Sequence, residues 1–500
     1  MNLATIIDPH PDAAVAVISR GKSTTYGDLR QQTGCLRGGL TALGLQPGDR
    51  VGIVAANNWY FVVSYLAVLG AGLVAVPMNP TSPVPEIERE LAAIGARAVI
   101  AGPKAKATVG ALDRSRLPAL DHVIASEGGD ISGAVLLNDL LAAEPVPSLD
   151  RGADDLAVLI FTSGTAGSPK AAMLTHGNLL ANLEQCQAHP GRQQGPDDVV
   201  FGVLPLFHIF GLNVVLGLSF VAGATVLLIE RFDPQTGVES VVDHGVSVIS
   251  GAPTMWSAWA ALPGAPADAF ARVRLATSGA AKLDPEVQRA IKQRFGLDLN
   301  EGYGLTEASP VVTSGTGLEA PEGSIGVPLP GVHVRLVDPT GDDALVGDAG
   351  EIWVQGPNVF AGYWEDPDAT ANALTPDGWL RTGDVAVVDD GGFLYLVDRV
   401  KDLIIVSGFN VYPAEVEEVL ASHPAVARAA VVGVPHPHSG EAVKAYVVTA
   451  EGVSVEEDDL IHHCEGHLAR YKCPQKVMFV DEIPQSATGK VLRKELRAAG

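Results

Sequence analysis

Nine residues, Thr162 to Lys170, read TSGTAGSPK and follow directly on the apolar run Leu156 to Phe161 (LAVLIF). A run of that length and composition predicts a buried strand. What it empties into has the residue types that hold polyanions. Gly164 and Gly167 admit an anion close to the backbone, the hydroxyls of Thr162, Ser163 and Thr165 donate to its oxygens, and Lys170 adds a point charge. The stretch predicts a polyphosphate grip. It is not a Walker loop, which needs Gly-Lys-Ser/Thr in immediate succession with the lysine opening a helix. Here Pro169 precedes Lys170 and the two glycines are three apart. Taken alone, the stretch also reads as a Ser/Gly surface turn.

Further stretches carry matching chemistry. Thr277 to Ala281 (TSGAA) is a turn of small residues, Ser278, Gly279, Ala280 and Ala281, against which a flat ring can lie on backbone. Asn300 to Glu307 (NEGYGLTE) sets Tyr303 between Gly302 and Gly304, leaving its ring face open for stacking, and follows it with Thr306 and Glu307. A hydroxyl beside a carboxylate suits a phosphate and its magnesium ion. In Trp379 to Asp384 (WLRTGD), Asp384 can accept two ribose hydroxyls or serve a plain turn. His208, in PLFHIFG, reads on its own as a packed or solvent-facing side chain. Lys490 ends the loop QSATGK just before a basic helix, VLRKELR. His462, His463, Cys464 and His467 crowd one segment, but a structural zinc site wants two ligand couples at set spacings, so a helix face is the better reading.

The elements that must position these residues alternate in type. Val51 to Ala55, Leu73 to Val76 and Ala98 to Ile100 read as strands, Tyr60 to Leu69 and Glu86 to Ile94 as helices, and Thr25 with Asp28 starts a helix that stops at Gly44. Val199 to Val203 and Val246 to Ile249 continue the strands. This alternation predicts α/β architecture: parallel sheets covered by helices, with ligand loops at strand C-terminal ends. Phe210 to Ile229 is 20 residues without a charge, long enough to span a bilayer. Its three glycines and Asn213, with Gly223 dividing a helix-like half from ATVLLI, predict a buried helix and a buried strand instead.

With 500 residues the chain is too long for one core. Asp398 to Asp402 (DRVKD) packs charges between strands Phe393 to Val397 and Leu403 to Val406, and a boundary is expected there. That gives a large N-terminal domain, 1–400, and a small mobile C-terminal α/β domain, 401–500, with a helix opened by Pro413 and strands at Ala429 to Val434 and Ala445 to Val448. Hydrophobic and charged shares of 47% and 18% describe a well-buried globular chain. The formal charge of −24 argues against nucleic acid as a partner, because its backbone demands a basic face. Polyanionic ligands must then be met by local cations, for which Lys170, Arg399, Lys401 and Lys490 are candidates. Four scattered cysteines and no basic-plus-apolar start imply a reduced, cytoplasmic setting. Membrane-surface contact and oligomeric state, monomer or homodimer, stay open.

Taken in order, TSGTAGSPK, GYGLTE, RTGD, DRVKD with SGFNVYPAEVE, and PQSATGK resemble the core motifs of the adenylate-forming superfamily of acyl-CoA synthetases, luciferase and peptide-synthetase adenylation domains. GYGLTEASP, the DRVKD–SGFNVYP junction and the tail are most similar to fatty acyl- and aryl-CoA ligases. The chain ends ten residues after Lys490, which speaks against a fused carrier domain. The resemblance implies that a carboxylate attacks the α-phosphate of ATP to give acyl-AMP and pyrophosphate, and that CoA then displaces AMP. It implies that Lys490 bridges the substrate carboxylate and α-phosphate, and that Glu307 holds magnesium. The 162–170 loop takes the β- and γ-phosphates, and Thr306 the α-phosphate. Adenine lies between Tyr303 and the Ser278–Ala281 turn, with Glu301 among the ATP-binding positions, and Asp384 and Arg399 hold the ribose. Lys401 is the hinge on which the small domain swings, Gly408 lines the CoA tunnel, and His208 gates the acyl pocket.

The pocket walls expected from family position, His208 to Gly211, Gly251 to Met255 and Gly302 to Leu305, are small and apolar with no cation for a second carboxylate. They favour a medium or long-chain fatty acid, with an aryl acid as the alternative. Lys282 stands where relatives commonly carry proline. Rival readings are a ligase that loads a separate carrier protein, a P-loop NTPase that yields ADP, and a scaffold with dead chemistry; intact Glu307 and Lys490 speak against the last.

Overall fold

The computed structural model describes residues 1–126, 131–162, 170–399, 402, 404–406, 409–436, 440–468, 470–486 and 489–498. Short apolar strands joined through helices have few ways to bury both faces of a sheet, and the chain adopts the usual one. Arg50–Val54, Val74–Met78, Ala98–Ala101 and His122–Ala125 run parallel in a seven-stranded sheet, which Leu156–Thr162 joins beside Val74–Met78. Val199–Gly202, Thr225–Leu228, Val248–Gly251, Leu275–Ser278 and Asn300–Gly304 form the parallel centre of a nine-stranded sheet. One core cluster runs between the sheets, taking Val51, Ala75 and Val158 from one, Val200, Val226 and Val248 from the other, and the helices between them. Helix Trp59–Gly70 is buried from Phe61 to Gly70, as expected of a helix that is apolar all round.

Local signals act where the sequence places them. Thr25 and Asp28 close a reciprocal capping box on helix Tyr26–Ala42, and Gly44 follows it in the left-handed region at φ 85°. The apolar run after Phe210 is a helix and a strand. It opens as a π-helix, Phe210–Gly217, continues as Leu218–Ala222, ends on Gly223 at φ 74°, and leads into Thr225–Leu228. No helix among the described residues is long and apolar enough to cross a membrane.

The sheets are less uniformly parallel than the alternation predicts. Leu156–Thr162 and Lys170–Thr175 form an antiparallel hairpin at one edge, and Asn300–Gly304 pairs antiparallel with Val311–Ser314 at another. A separate antiparallel sheet of four strands joins His333–Val337, Gly350–Gln355, Leu380–Val388 and Leu394–Arg399. Strand Gly350–Gln355 alternates buried and half-buried residues, the period-two signal of a one-sided strand.

Between Arg399 and Ile404 the chain passes from that sheet into a five-stranded one: Ile404–Val406, Phe409–Val411, Val426–His436, Gly440–Thr449 and Lys476–Phe479. Helices Pro413–Ala421 and Glu457–Glu465 back it with Val416, Leu420, Leu460 and Cys464 in a core of its own. The histidine-rich segment belongs to the second of these helices and the turn after it. His463 Nε2 lies 2.9 Å from Ser422 Oγ, and His467 Nδ1 lies 2.8 Å from the His463 carbonyl. His463 thus ties this helix to the end of helix Pro413–Ala421, while the His462 side chain is exposed.

Candidate active site

The site gathers residues at the C-terminal ends of parallel strands, Thr162, Ser278 and Tyr303 among them, with others from antiparallel edges and a C-terminal turn. Thr162 and Lys170 face each other across the base of the hairpin, Thr162 Oγ1 donating to the Lys170 carbonyl at 3.3 Å. They form the neck of the predicted polyphosphate loop; Ser163, Gly164, Thr165 and Gly167 lie outside the described residues. Lys170 opens a strand rather than a helix, so the arrangement departs from a Walker loop in structure as well as spacing. Its ammonium sits 3.7 Å from Asp366 Oδ2 and 5.3 Å from the centre of the Tyr363 ring.

Ser278 ends strand Leu275–Ser278, with Gly251 and Glu301 as its Cα partners on either side. Its hydroxyl is buried and has no hydrogen-bond partner among the described residues, an arrangement that costs free energy unless a ligand or water supplies one. Gly279 N–H donates back to the Gly251 carbonyl, and Ala280 turns at φ 72°. Glu301, next along the sheet, accepts from the Leu283 N–H at 3.0 Å. Burial pushes its carboxyl up to about 7, against that hydrogen bond and the nearby Lys282 charge.

Tyr303 is buried, and its phenol donates to Asp384 Oδ2 at 2.7 Å. The residue expected under adenine is therefore tied to the residue expected on the ribose. Asp384 in turn has Arg399 as its Cα partner in the antiparallel sheet. The glycines around Tyr303 answer a backbone demand beyond keeping its ring open: a Cβ on Gly304 would stand 2.2 Å from the Pro310 carbonyl oxygen. Thr306 and Glu307 open a short 3-10 helix, Thr306–Ala308. Glu307 Oε1 accepts from the Tyr363 phenol at 2.7 Å, and burial with the adjoining Glu307 charge pushes that phenol up, so it remains a donor. The donor set fits magnesium, which is commonly held by one or two carboxylates together with substrate phosphates. Among the described residues no cluster of three or more acidic, histidine or cysteine ligands forms a protein-only cage.

His208 follows Pro205 in the loop ahead of the π-helix, and its Nδ1 accepts from the Phe210 N–H at 3.3 Å. Desolvation, with the Lys490 ammonium as the smaller cause, lowers its pKa to about 4. His208 is thus a neutral ring at pH 7 carrying its proton on Nε2, with a lysine from the far end of the chain beside it. The lysine arrives on a turn in which Ser486 N–H donates to the Lys490 carbonyl at 2.8 Å and Gly489 adopts φ 84°. A Cβ on Gly489 would lie 2.9 Å from Thr254 Cγ2, so the turn is seated on helix Pro253–Ala261.

The expected acyl walls meet here too. The Phe210 ring lies against Gly279, 3.1 Å from where a Cβ would be, and Met255 Cε folds onto the face of Gly251. The geometry brings together His208, Lys490, Ser278, Tyr303 and Asp384, with Lys170 and Glu307 joined through Tyr363. Arg399 is described at its backbone, and Lys401 and Gly408 lie outside the described residues. Sequence reasoning missed Tyr363, whose signal was the Gly362-Tyr363 pair preceding an Asp-Pro helix start.

Fold and site together are those of an adenylate-forming enzyme. The family model described as AMP-binding enzyme matches residues 5–364, and the one for the AMP-binding enzyme C-terminal domain matches residues 415–490. The chain belongs to the AMP-binding enzyme family. It is 39% identical over 493 residues to a feruloyl-CoA synthase of an Amycolatopsis species, covering 98% of this chain and 96% of that one. It is 38% identical to a long-chain-fatty-acid–CoA ligase of Yersinia pestis, covering 96% and 91%. The solved structure of ATP-bound MatB from Rhodopseudomonas palustris superposes with a TM-score of 0.91 at 33% identity, covering 100% and 99%.

Proposed function

We propose that the protein is an AMP-forming acid–CoA ligase acting on an apolar monocarboxylic acid. The observation that carries this reading is the seating of the Lys490 turn on Thr254, with its ammonium acting on neutral His208. The obstacle in acid activation is an anion attacking a polyanion, so positive charge at the developing transition state is the main requirement. A lysine beside an uncharged, hydrogen-bond-donating imidazole meets that requirement without bringing a competing anion.

In the proposed first step a carboxylate oxygen forms a bond to the α-phosphorus, the bond to the bridging oxygen breaks, and pyrophosphate leaves with that electron pair. Lys490 bridges carboxylate and α-phosphate, Thr306 donates to the α-phosphate, and the neck residues Thr162 and Lys170 take the leaving phosphates. Tyr303 carries the adenine, and Asp384 with Arg399 takes the ribose hydroxyls. Magnesium, when bound at Glu307, neutralises charge that builds on the departing oxygens. In the second step the CoA sulfur bonds to the acyl carbonyl carbon, the acyl–phosphate bond breaks, AMP leaves, and the thiol proton passes to solvent. We assign the domain division to residue 400, the rotation between the steps to Lys401, and the path of the CoA arm to Gly408.

For the acid itself, a medium or long-chain fatty acid is supported by Met255, an unbranched side chain able to swing off Gly251 and lengthen the pocket. The aryl-acid reading is favoured by the Phe210 ring seated against Gly279, an aromatic wall on which a substrate ring can stack. Thioester formation with ATP, magnesium and CoA across a panel of fatty and aryl acids separates the two. Turnover confined to one class names the substrate. Acyl-AMP without any acyl-CoA would point to a carrier-loading ligase instead.

A further inference from the structure

Residues 361–364 run as an extra edge along strand Lys170–Thr175. Ala361 N–H donates to the Met173 carbonyl, Met173 N–H to that of Gly362, and Trp364 N–H to that of Ala171, with Tyr363 opposite Ala172. Such pairing fixes side-chain direction through the strand register, since a one-residue slip would turn every side chain to the other face. Phe360 N–H also donates to the Glu307 carbonyl, which ties the same segment to the short helix that carries Glu307.

The consequence is that one aromatic side chain touches both the carboxylate assigned to the cation and the lysine assigned to the phosphates. Its phenol donates to Glu307 Oε1 at 2.7 Å, and its ring stands 5.3 Å from the Lys170 ammonium. That distance lies within the range at which a cation is attracted to a ring face. Asp366 closes the arrangement, with Oδ2 3.7 Å from Lys170 and Oδ1 capping helix Pro367–Ala373 through the Ala369 N–H.

We propose that Tyr363 is a positioning residue that holds Glu307 and Lys170 in register for a nucleoside triphosphate and its cation, while Asp366 keeps the lysine aimed until phosphate displaces it. This rests on the acid-activating reading above. Donation to Oε1 stops the carboxylate from rotating and leaves Oε2 for the cation. The ring limits the sweep of a flexible four-carbon stem, so less freedom is lost when phosphate arrives.

The two arms separate by substitution, because Tyr363→Phe keeps the ring and removes the phenol, whereas Tyr363→Leu removes both. ATP binding is measured by calorimetry on the full chain, once with EDTA and once with magnesium, and each variant's melting temperature is recorded. For Tyr363→Phe, metal-free affinity is expected within about twofold of wild type, while the gain on adding magnesium falls roughly tenfold, the scale of one hydrogen bond to a charged group. For Tyr363→Leu, metal-free affinity falls as well. Wild-type values for Tyr363→Phe in both conditions would overturn the positioning role alone. So would an equal loss in both conditions with a lowered melting temperature, the mark of simple packing. The Phe comparison decides even if the Leu variant does not fold. If the wild type binds ATP with no response to magnesium, the functional reading falls and this inference falls with it.

Discussion

Replacing Lys490 by alanine isolates the charge to which the proposed chemistry owes most. The ammonium lies close enough to His208 to lower its pKa further than burial alone does. Two unit charges about 4 Å apart at an effective dielectric near 20 interact by about 4 kcal/mol. Loss of one preorganised donor to a developing oxyanion costs about 2.7–4 kcal/mol in measured cases. At about 1.36 kcal/mol per decade, both figures predict that adenylation slows by roughly 10²- to 10³-fold. The assay is pre-steady-state formation of acyl-AMP, run beside thioester formation from supplied acyl-AMP. The second reaction should largely survive, because the lysine is assigned to the first step. Equal loss in both halves would refute the assignment. Removing the ammonium should also raise the His208 pKa, which can be read from its imidazole proton resonances.

Three other outcomes follow from particular contacts. Asp384→Asn keeps the shape of the carboxylate but not its charge, so the Tyr303 contact and the ribose site both weaken; the KM for ATP should rise roughly tenfold in pyrophosphate exchange. Gly304→Ala forces a methyl against the Pro310 carbonyl and should cost about 1–3 kcal/mol in urea unfolding, with no gain at any pH. His176 is fully buried and accepts from the Leu3 N–H through Nδ1, and desolvation lowers its pKa from 6.5 to about 4. Its unfolded form therefore binds the proton more readily, and the stability it contributes is present above about pH 6.5 and lost as pH falls toward 4. The loss amounts to roughly 3 kcal/mol at most, and the melting temperature should fall accordingly between pH 7.5 and 4.5, less so in His176→Gln.

Much of the fold was legible because its signals are local. The capping pair Thr25 and Asp28, the breaker Gly223 and the alternating apolar runs act within a few residues of themselves, and the elements formed close to where these fall. The antiparallel pairings were less legible. That Lys170 begins a strand pairing back on Leu156–Thr162 depends on register across a loop, and the sheet from His333 to Arg399 depends on partners far apart in the chain. The site divides along the same line. Residue types at Thr162, Tyr303, Thr306, Glu307, Asp384 and Lys490 announce phosphate, ring and carboxylate chemistry through neighbours in sequence. Tyr363 announces nothing of the kind, since its partners Glu307 and Lys170 lie 56 and 193 residues earlier. Phe210 falls within the expected wall His208 to Gly211, but its seat against Gly279, 69 residues later, depends on the packing of distant strands.

The central claim is that this site joins an acid to AMP, and acid-dependent exchange of labelled pyrophosphate into ATP, without CoA, tests it most directly. The account predicts exchange that requires both magnesium and a fatty or aryl acid, with AMP and acyl-CoA appearing once CoA is added. Release of ADP and inorganic phosphate regardless of acid, with no exchange, would contradict it and mean that the loop from Thr162 to Lys170 serves a different phosphate chemistry.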